Sequence, residues 1–198
     1  MAHAARSGAL PRGRPRDAHI DRAVVAAVLE VLSTRGYQAV TMAGIARKVK
    51  RARASIYRRW PSKPYLVADC IARTLGASPA PDTGVLRRDL ATAVGTLHRA
   101  LSGPLRQALP GLVADMAHDP RLARAVRRQV LAPRRGSMRE ALRRAQRRGE
   151  ARVTMDWELL LDLLAGPFYF RALFGHARVN RRLARDVLAA VLAMVARR

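Results

Sequence analysis

Between positions 53 and 59 the chain carries Arg53, Ser55, Tyr57, Arg58 and Arg59, side chains suited to reading a nucleic acid rather than to turning over a substrate. An arginine can bond a guanine edge bidentately, and a serine can bond several base edges. Tyr57 and nearby Lys63 suit phosphate oxygens, contacts that set register without specifying sequence. Other chemistry has little to build on. The histidines His3, His19, His98, His118 and His176 are scattered. Only Asp115 and His118 share a one-turn spacing, which is more often a local ion pair than half a metal site. No glycine-rich phosphate loop leads into Lys and Ser/Thr. Cys70, the single cysteine, stands among apolar residues and reads as inert packing. No catalytic residue, metal site or cofactor is expected.

The elements that must position these residues are helices. Ile20, Val24, Ala27, Val28 and Val31 recur at helical spacing over residues 17–34, and Gly36 suits an αL cap after them. Thr41 fits the N-cap of a short helix through Ile45, Ala46 and Val49. After a break near Lys50 and Arg51, a second short helix is expected from Arg53 to Trp60, where Pro61 ends it. Ser62 opens a further helix carrying Leu66, Val67, Cys70 and Ile71. A Pro- and Gly-rich break covers residues 76–84. Five more helices are expected near 85–102, 105–118, 121–148, 156–175 and 180–197, with Pro133 kinking the third and Thr154 or Asp156 capping the fourth. The fold class is therefore all-α, with about nine helices.

Composition agrees. The 198 residues can bury a real core, and Ala, Leu and Arg, which dominate, favour helix. The 38 basic residues against 14 acidic ones give a formal net charge of +24. Such a balance favours a polyanionic partner through counterion release. The near-absence of Lys, found only at 48, 50 and 63, fits codon bias in a GC-rich genome, which explains Arg replacing Lys but not the shortage of acids. A lone cysteine suits a reducing compartment. No apolar run approaches the ~18 residues of a membrane span, and residues 1–16 lack the apolar stretch of a signal peptide. A cytoplasmic, non-membrane protein is expected.

A short helix, a tight break and a second short helix after a longer one make a helix-turn-helix, in which the second helix enters the major groove. The stretch "YQAVTMAGIARKVKRARASIYRRWPSKPYLV" resembles the DNA-binding domain of the TetR family of regulators. The likeness rests on Gly36-Tyr37, Thr41, Ile45-Ala46, Ser55-Ile56-Tyr57 and Trp60-Pro61-Ser62-Lys63. A weaker likeness in "RRGEARVTMDWELLLDLLAGPFYFRALF" extends it through the C-terminal half. The resemblance implies a three-helix DNA-binding domain (17–62), then a helical ligand-binding and dimerisation domain (63–198) that begins with a linker helix over 62–75. It further implies a homodimer on a palindromic duplex operator and repression relieved by an unknown small molecule. A ligand-independent architectural or local DNA-binding regulator is the alternative, and an all-helical enzyme ranks below both.

The remaining expectations are local. Residues 1–16 read as a disordered basic arm. Its "PRGRPR" resembles an AT-hook core whose Arg12, Arg14 and Arg16 would enter a narrow minor groove; a solvated arm touching phosphates loosely is the equal alternative. Where the family places a Gly and then an apolar residue between its short helices, this chain has Lys50 and Arg51. A left-handed Lys50 would be strained, and the Arg51 guanidinium would have to reach outwards, placing both charges near the DNA backbone. Gly166-Pro167 is expected to interrupt the penultimate helix and open a cavity lined by Leu97, His98, Leu101, Leu112, Met116, Val130, Phe168 and Tyr169. The apolar positions Leu160, Leu164, Leu183, Val187, Val191, Met194 and Val195 read as intramolecular core, and the resemblance implies that their helices also pair with their copies across a two-fold axis; both can hold, since each helix has more apolar surface than one stripe. Twelve Arg and two Glu between Arg121 and Arg152 read as a solvated helix face in preference to a second nucleic-acid or acidic-ligand surface, because paired Arg-Arg steps project around a helix rather than along one stripe.

Overall fold

The computed structural model describes residues 18–75 and 81–195. Those residues are helical almost throughout. Helix α1 (Ala18–Arg35) is followed by a 3-10 turn (Tyr37–Ala39), α2 (Met42–Lys48), α3 (Arg53–Tyr57) and α4 (Lys63–Leu75). Then come α5 (Leu86–Ser102), a 3-10 helix (Pro104–Ala108), α6 (Leu109–His118), α7 (Pro120–Val126), α8 (Ala132–Arg147), α9 (Trp157–Phe174) and α10 (Arg181–Val195). A π-helical turn (Arg127–Leu131) joins α7 to α8 in one helical run, so the single helix expected there is present with its irregularity just ahead of Pro133. Proline supplies no N–H to the carbonyl one turn back, and the wider turn falls where that bond is missing.

Two caps expected from the sequence are in place. The Thr41 hydroxyl accepts from the Gly44 N–H at 3.1 Å, and the Asp156 carboxylate accepts from the Leu159 N–H at 2.8 Å. Each satisfies one of the donors that a helix start leaves open. Gly36 does adopt positive φ (+75°), but its ψ of −177° is extended rather than αL. It starts the 3-10 turn that carries Tyr37 instead of capping α1 as expected. Lys50 is at φ +52°, the only non-glycine residue with positive φ among those described, so the strained turn is present.

The apolar residues gather into two cores. The first joins α1–α4 to Leu105, Ala108, Leu112, Leu122, Val126 and Val130, with Val28, Leu32, Ile56 and Leu66 fully enclosed. The second packs α5, α8, α9 and α10 around Leu90, Leu142, Leu160 and Phe168. Pro167 does not break α9, contrary to expectation; the helix runs unbroken from Trp157 to Phe174.

A buried polar network ties α1, α3 and α4 together. Asp21, only 5% exposed, is paired with Arg59 and, at 3.1 Å, with Arg73. Arg73 also holds Asp69 at 2.8 Å, and Asp69 accepts from the Trp60 indole N–H at 2.8 Å. Removing one member of such a network leaves a buried charge unpaired, which costs far more than the net worth of the pair.

Candidate DNA-reading surface and internal cavity

Helix α3 stands at one end of the molecule with Arg53, Tyr57 and Arg58 exposed and Ser55 half-buried. Ile56 on its other face is fully buried and anchors it. Lys50 and Arg51 are exposed in the preceding turn, and Thr41 is exposed at the start of α2. The guanidinium of Arg51 therefore faces solvent, while its backbone N–H closes the turn on the Ala46 carbonyl at 2.9 Å. Lys63 lies at the start of α4 with its ammonium 4.2 Å from the centre of the Tyr37 ring.

Arg59 must be corrected. Read as a DNA contact, it points inward to Asp21. A carboxylate buried at 5% exposure demands a cationic partner, and Arg59 supplies one, so it braces α3 against α1. Arg12, Arg14 and Arg16 lie outside the described residues.

Tyr37 links this end to the rest. Its hydroxyl donates to Asp115 of α6, and its ring lies against Gly111 one turn earlier, where an added Cβ would fall 2.1 Å from Cδ1. Burial, and then the bond to Asp115, push the Tyr37 phenol well above its ordinary pKa. Asp115, weighed in the sequence as a partner for His118, is taken by Tyr37. On α4 the Tyr65 hydroxyl donates to Asp119 at 3.1 Å. Asp119 also caps α7, accepting from the Arg121 and Leu122 N–H groups at 2.9 and 3.0 Å. Those backbone donors, the one on Leu122 foremost, hold its pKa below the usual carboxylate value.

Behind α6 lies a cavity of about 410 Å³, within the range of roughly 300–1,000 Å³ typical of small-molecule sites. Leu97 and Leu101 of α5, Leu112 and Met116 of α6, Val130, and Tyr169 of α9 line it. His98 and Phe168 do not. Phe168 is fully enclosed in the second core, and His98, next to the cavity-lining Leu97, is turned off the wall by helical geometry. Sequence reading missed Ile71 and Leu75 of α4, which also face the cavity, and Arg134. Arg134 donates to the Leu75 carbonyl at 3.3 Å. Nothing in the spacing of twelve arginines singles it out.

The Arg-rich run is only partly a solvated face. Arg135 pairs with Glu158 and Asp162, Arg139 with Glu158, and Arg144 with Asp82 at 3.3 Å and Glu140 at 3.5 Å. Apart from Arg144–Glu140, which lies within α8, these pairs fasten α8 to α9 and to the segment before α5.

The residues expected to meet a second copy also need correction. Leu160, Leu164, Leu183, Val187, Val191 and Val195 are all buried within the chain's own second core; Met194 alone is exposed, at 40%. The outward apolar stripe of α9 is instead Leu159, Leu163, Phe170 and Phe174, which fall on one side of a 3.6-residue helix. Gly166 lies between them with open space above it. No helix of the described residues is long and apolar enough to cross a membrane.

Comparisons with known proteins agree with this architecture. Residues 24–70 match the family described as bacterial regulatory proteins, tetR family, and residues 80–191 match the tetracyclin repressor-like C-terminal domain. The HTH-type transcriptional regulator YdeS of Bacillus subtilis is 32% identical over 178 residues, covering 89% of this chain and 90% of its own length. The DNA-binding transcriptional repressor TetR of Mycobacteroides abscessus is 34% identical over 170 residues, 83% of this chain and 85% of that one. The crystal structure of the TetR family transcription regulator SCO0332 superposes with a TM-score of 0.71 at 29% identity, over 90% of this chain and 100% of that chain. With a helix-turn-helix at one end, a helical C-terminal domain behind it and relatives matching along nearly its whole length, the chain belongs to the TetR family of DNA-binding transcriptional regulators.

Proposed function

We propose that the chain is a homodimeric repressor that two copies of α3 hold on a palindromic operator, and that a small molecule entering the cavity releases it. The observation that carries this reading is the placement of the cavity. Its walls include α4 and α6, the helices that hold Tyr37, Tyr65 and the Asp21 network. A ligand there touches the elements that position α3. Arg53, Ser55, Tyr57 and Arg58 are turned to solvent or half so, as base and phosphate readers must be; Thr41, Lys50, Arg51 and Lys63 flank them. Arg12, Arg14 and Arg16 would add minor-groove or phosphate contacts.

The partner proposed for the α9 stripe is a second copy. Phe174 is 69% exposed and Phe170 56%, with their rings 4.7 Å apart. An apolar row of this kind on a monomer marks an interaction surface. A two-fold pairing along it gives each operator half-site its own α3. The protein would act in the cytoplasm, where its operator is.

Selection of bound duplexes from a random pool, followed by a compound screen against the selected complex, tests the reading. Enrichment of an inverted repeat and compounds that weaken the complex are expected. A selected site that no compound affects would favour the ligand-independent regulator, and a pool without an inverted repeat would overturn the dimeric operator reading.

A further inference from the structure

The cavity has a largely apolar wall that also carries three charged side chains, Arg134, Arg135 and Asp162. Arg134 lines it beside Tyr169, and among the described residues no carboxylate pairs with its guanidinium. Its neighbour Arg135, also on the wall, is matched by Glu158 and Asp162. Residues 76–80, which adjoin Leu75, contain no acid either. Arg134 is half-buried, and its guanidinium donates to the neutral Leu75 carbonyl at the C-terminal end of α4. A guanidinium offers five donors and is costly to bury without an anion. Burial pulls the Arg134 pKa below its ordinary value, opposed only by Tyr169. Burial in turn lifts the Tyr169 phenol, and the positive charge of Arg134 opposes that. Arg134 and Tyr169 thus stand together in a mostly aliphatic chamber that includes Leu97, Leu101, Leu105 and Met138, while the other charged residues on its wall, Arg135 and Asp162, are paired with each other.

We propose that the cavity takes a lipophilic organic anion, whose charged head pairs with Arg134 and accepts from the Tyr169 hydroxyl while its body fills the leucine-lined remainder. This deepens the proposed function and rests on its ligand-binding reading. It also assigns Arg134 a second task. The Arg134 guanidinium holds the last turn of α4, where a cation is favourable against the helix dipole. An anion in the cavity competes for the same donors, so pairing draws Arg134 off the Leu75 carbonyl and loosens α4, the helix that leads back to Lys63 and α3. A neutral ligand of the same body fills the chamber without that competition.

The test compares matched probes on the full chain by displacement of the neutral dye Nile red. Decanoate, decan-1-ol and decylammonium share one apolar body and differ in head charge. Decanoate is expected to bind at least about tenfold more tightly than decanol, with decylammonium weakest. In Arg134→Gln the decanoate preference is expected to fall to about threefold or less, with decanol affinity unchanged. Hydrogen exchange over residues 63–75 is expected to quicken with decanoate and to stay unchanged with decanol. Equal binding of decanoate and decanol, or a preference that survives Arg134→Gln, would overturn the inference while leaving a ligand cavity in place. Failure of Nile red and every probe to enter would overturn the ligand-binding reading itself. If Arg134→Gln does not fold, the contrast between decanoate and decanol on the unaltered chain, with its exchange readout, still decides.

Discussion

Gly111→Ala sets two physical effects against each other, and the structure says which wins. Gly111 lies inside α6, where exchanging glycine for alanine ordinarily stabilises a helix by up to about 1 kcal/mol. Here the added Cβ would fall 2.1 Å from Cδ1, 2.6 Å from Cε1 and 2.8 Å from Cγ of Tyr37, whereas carbon atoms pack comfortably at about 3.5–4.0 Å. The ring must therefore retreat by more than about 1 Å. It has little room to do so, being 6% exposed, tied to Asp115 and covered by Lys63. Overpacking costs about 1–3 kcal/mol, and loss of a hydrogen bond to a charged group about 1.5–3 kcal/mol more. After a helix gain of up to about 1 kcal/mol, a net destabilisation of about 1.5–5 kcal/mol is expected. Urea unfolding of the full chain at fixed protein concentration measures it, since dimerisation would make stability concentration-dependent. Tyr37→Leu makes the space, so the double variant should be more stable than the two single losses sum to, by at least about 1 kcal/mol. A stabilised Gly111→Ala would refute the close approach of α6 to the Tyr37 turn.

Three other outcomes follow from particular residues. Lys50→Gly removes a left-handed strain of roughly 1–2 kcal/mol, partly offset by the greater freedom of glycine when unfolded; the melting temperature should rise by a few degrees, and a fall would show that position 50 is not held at positive φ. Cys70 is fully buried, and burial first, then Asp69, push its thiol up to about 12 from 9.0, opposed by Arg73. Its contribution to stability is complete below pH about 9 and is lost as pH rises towards 12, so Cys70→Ala should flatten the decline between pH 9 and 11, and parallel slopes would count against it. Phe174→Glu places a charge on the exposed stripe of α9 and should halve the mass measured by light scattering without lowering helix content; a chain that stays dimeric would move the interface elsewhere.

Much of the fold was legible because its signals are local. Thr41 and Asp156 cap helices through bonds to donors within three residues, and Pro61 marks a break, although Pro167 lies inside unbroken α9. Side-chain direction was legible only where a helix has one apolar face. Helix α9 is apolar nearly all round, from Leu159 through Leu164 to Phe174, so its pattern did not distinguish Leu160 and Leu164, which turn inward, from Leu159 and Leu163, which turn out. Arg59 reads like its neighbour Arg58 until Asp21, 38 residues earlier, is brought beside it. Arg134 is likewise one of twelve similar residues, and its place on the cavity wall depends on how far the π-helical turn rotates α8 after α7. Such facts follow from long-range packing, to which sequence spacing is blind.

The arrangement of α6 shows why occupancy of the cavity would be felt at α3 on the proposed reading. Leu112 and Met116 are one turn apart on its cavity side, while Gly111 and Asp115, also one turn apart, hold Tyr37. Residues at i and i+4 share a face of a helix, so the cavity and the Tyr37 turn bear on adjoining faces of the same short rod. A ligand that displaces Met116 cannot do so without moving Asp115, whose partner opens the segment leading into α2. The Arg134 bond to Leu75 acts on the far end of α4, and the Tyr65–Asp119 bond acts near its start. Interiors are packed too densely to absorb such shifts gradually. On the proposed reading a ligand would therefore have two routes to α3, steric through α6 and electrostatic through α4. A neutral molecule uses the first alone and should release DNA less completely than an anion of the same body.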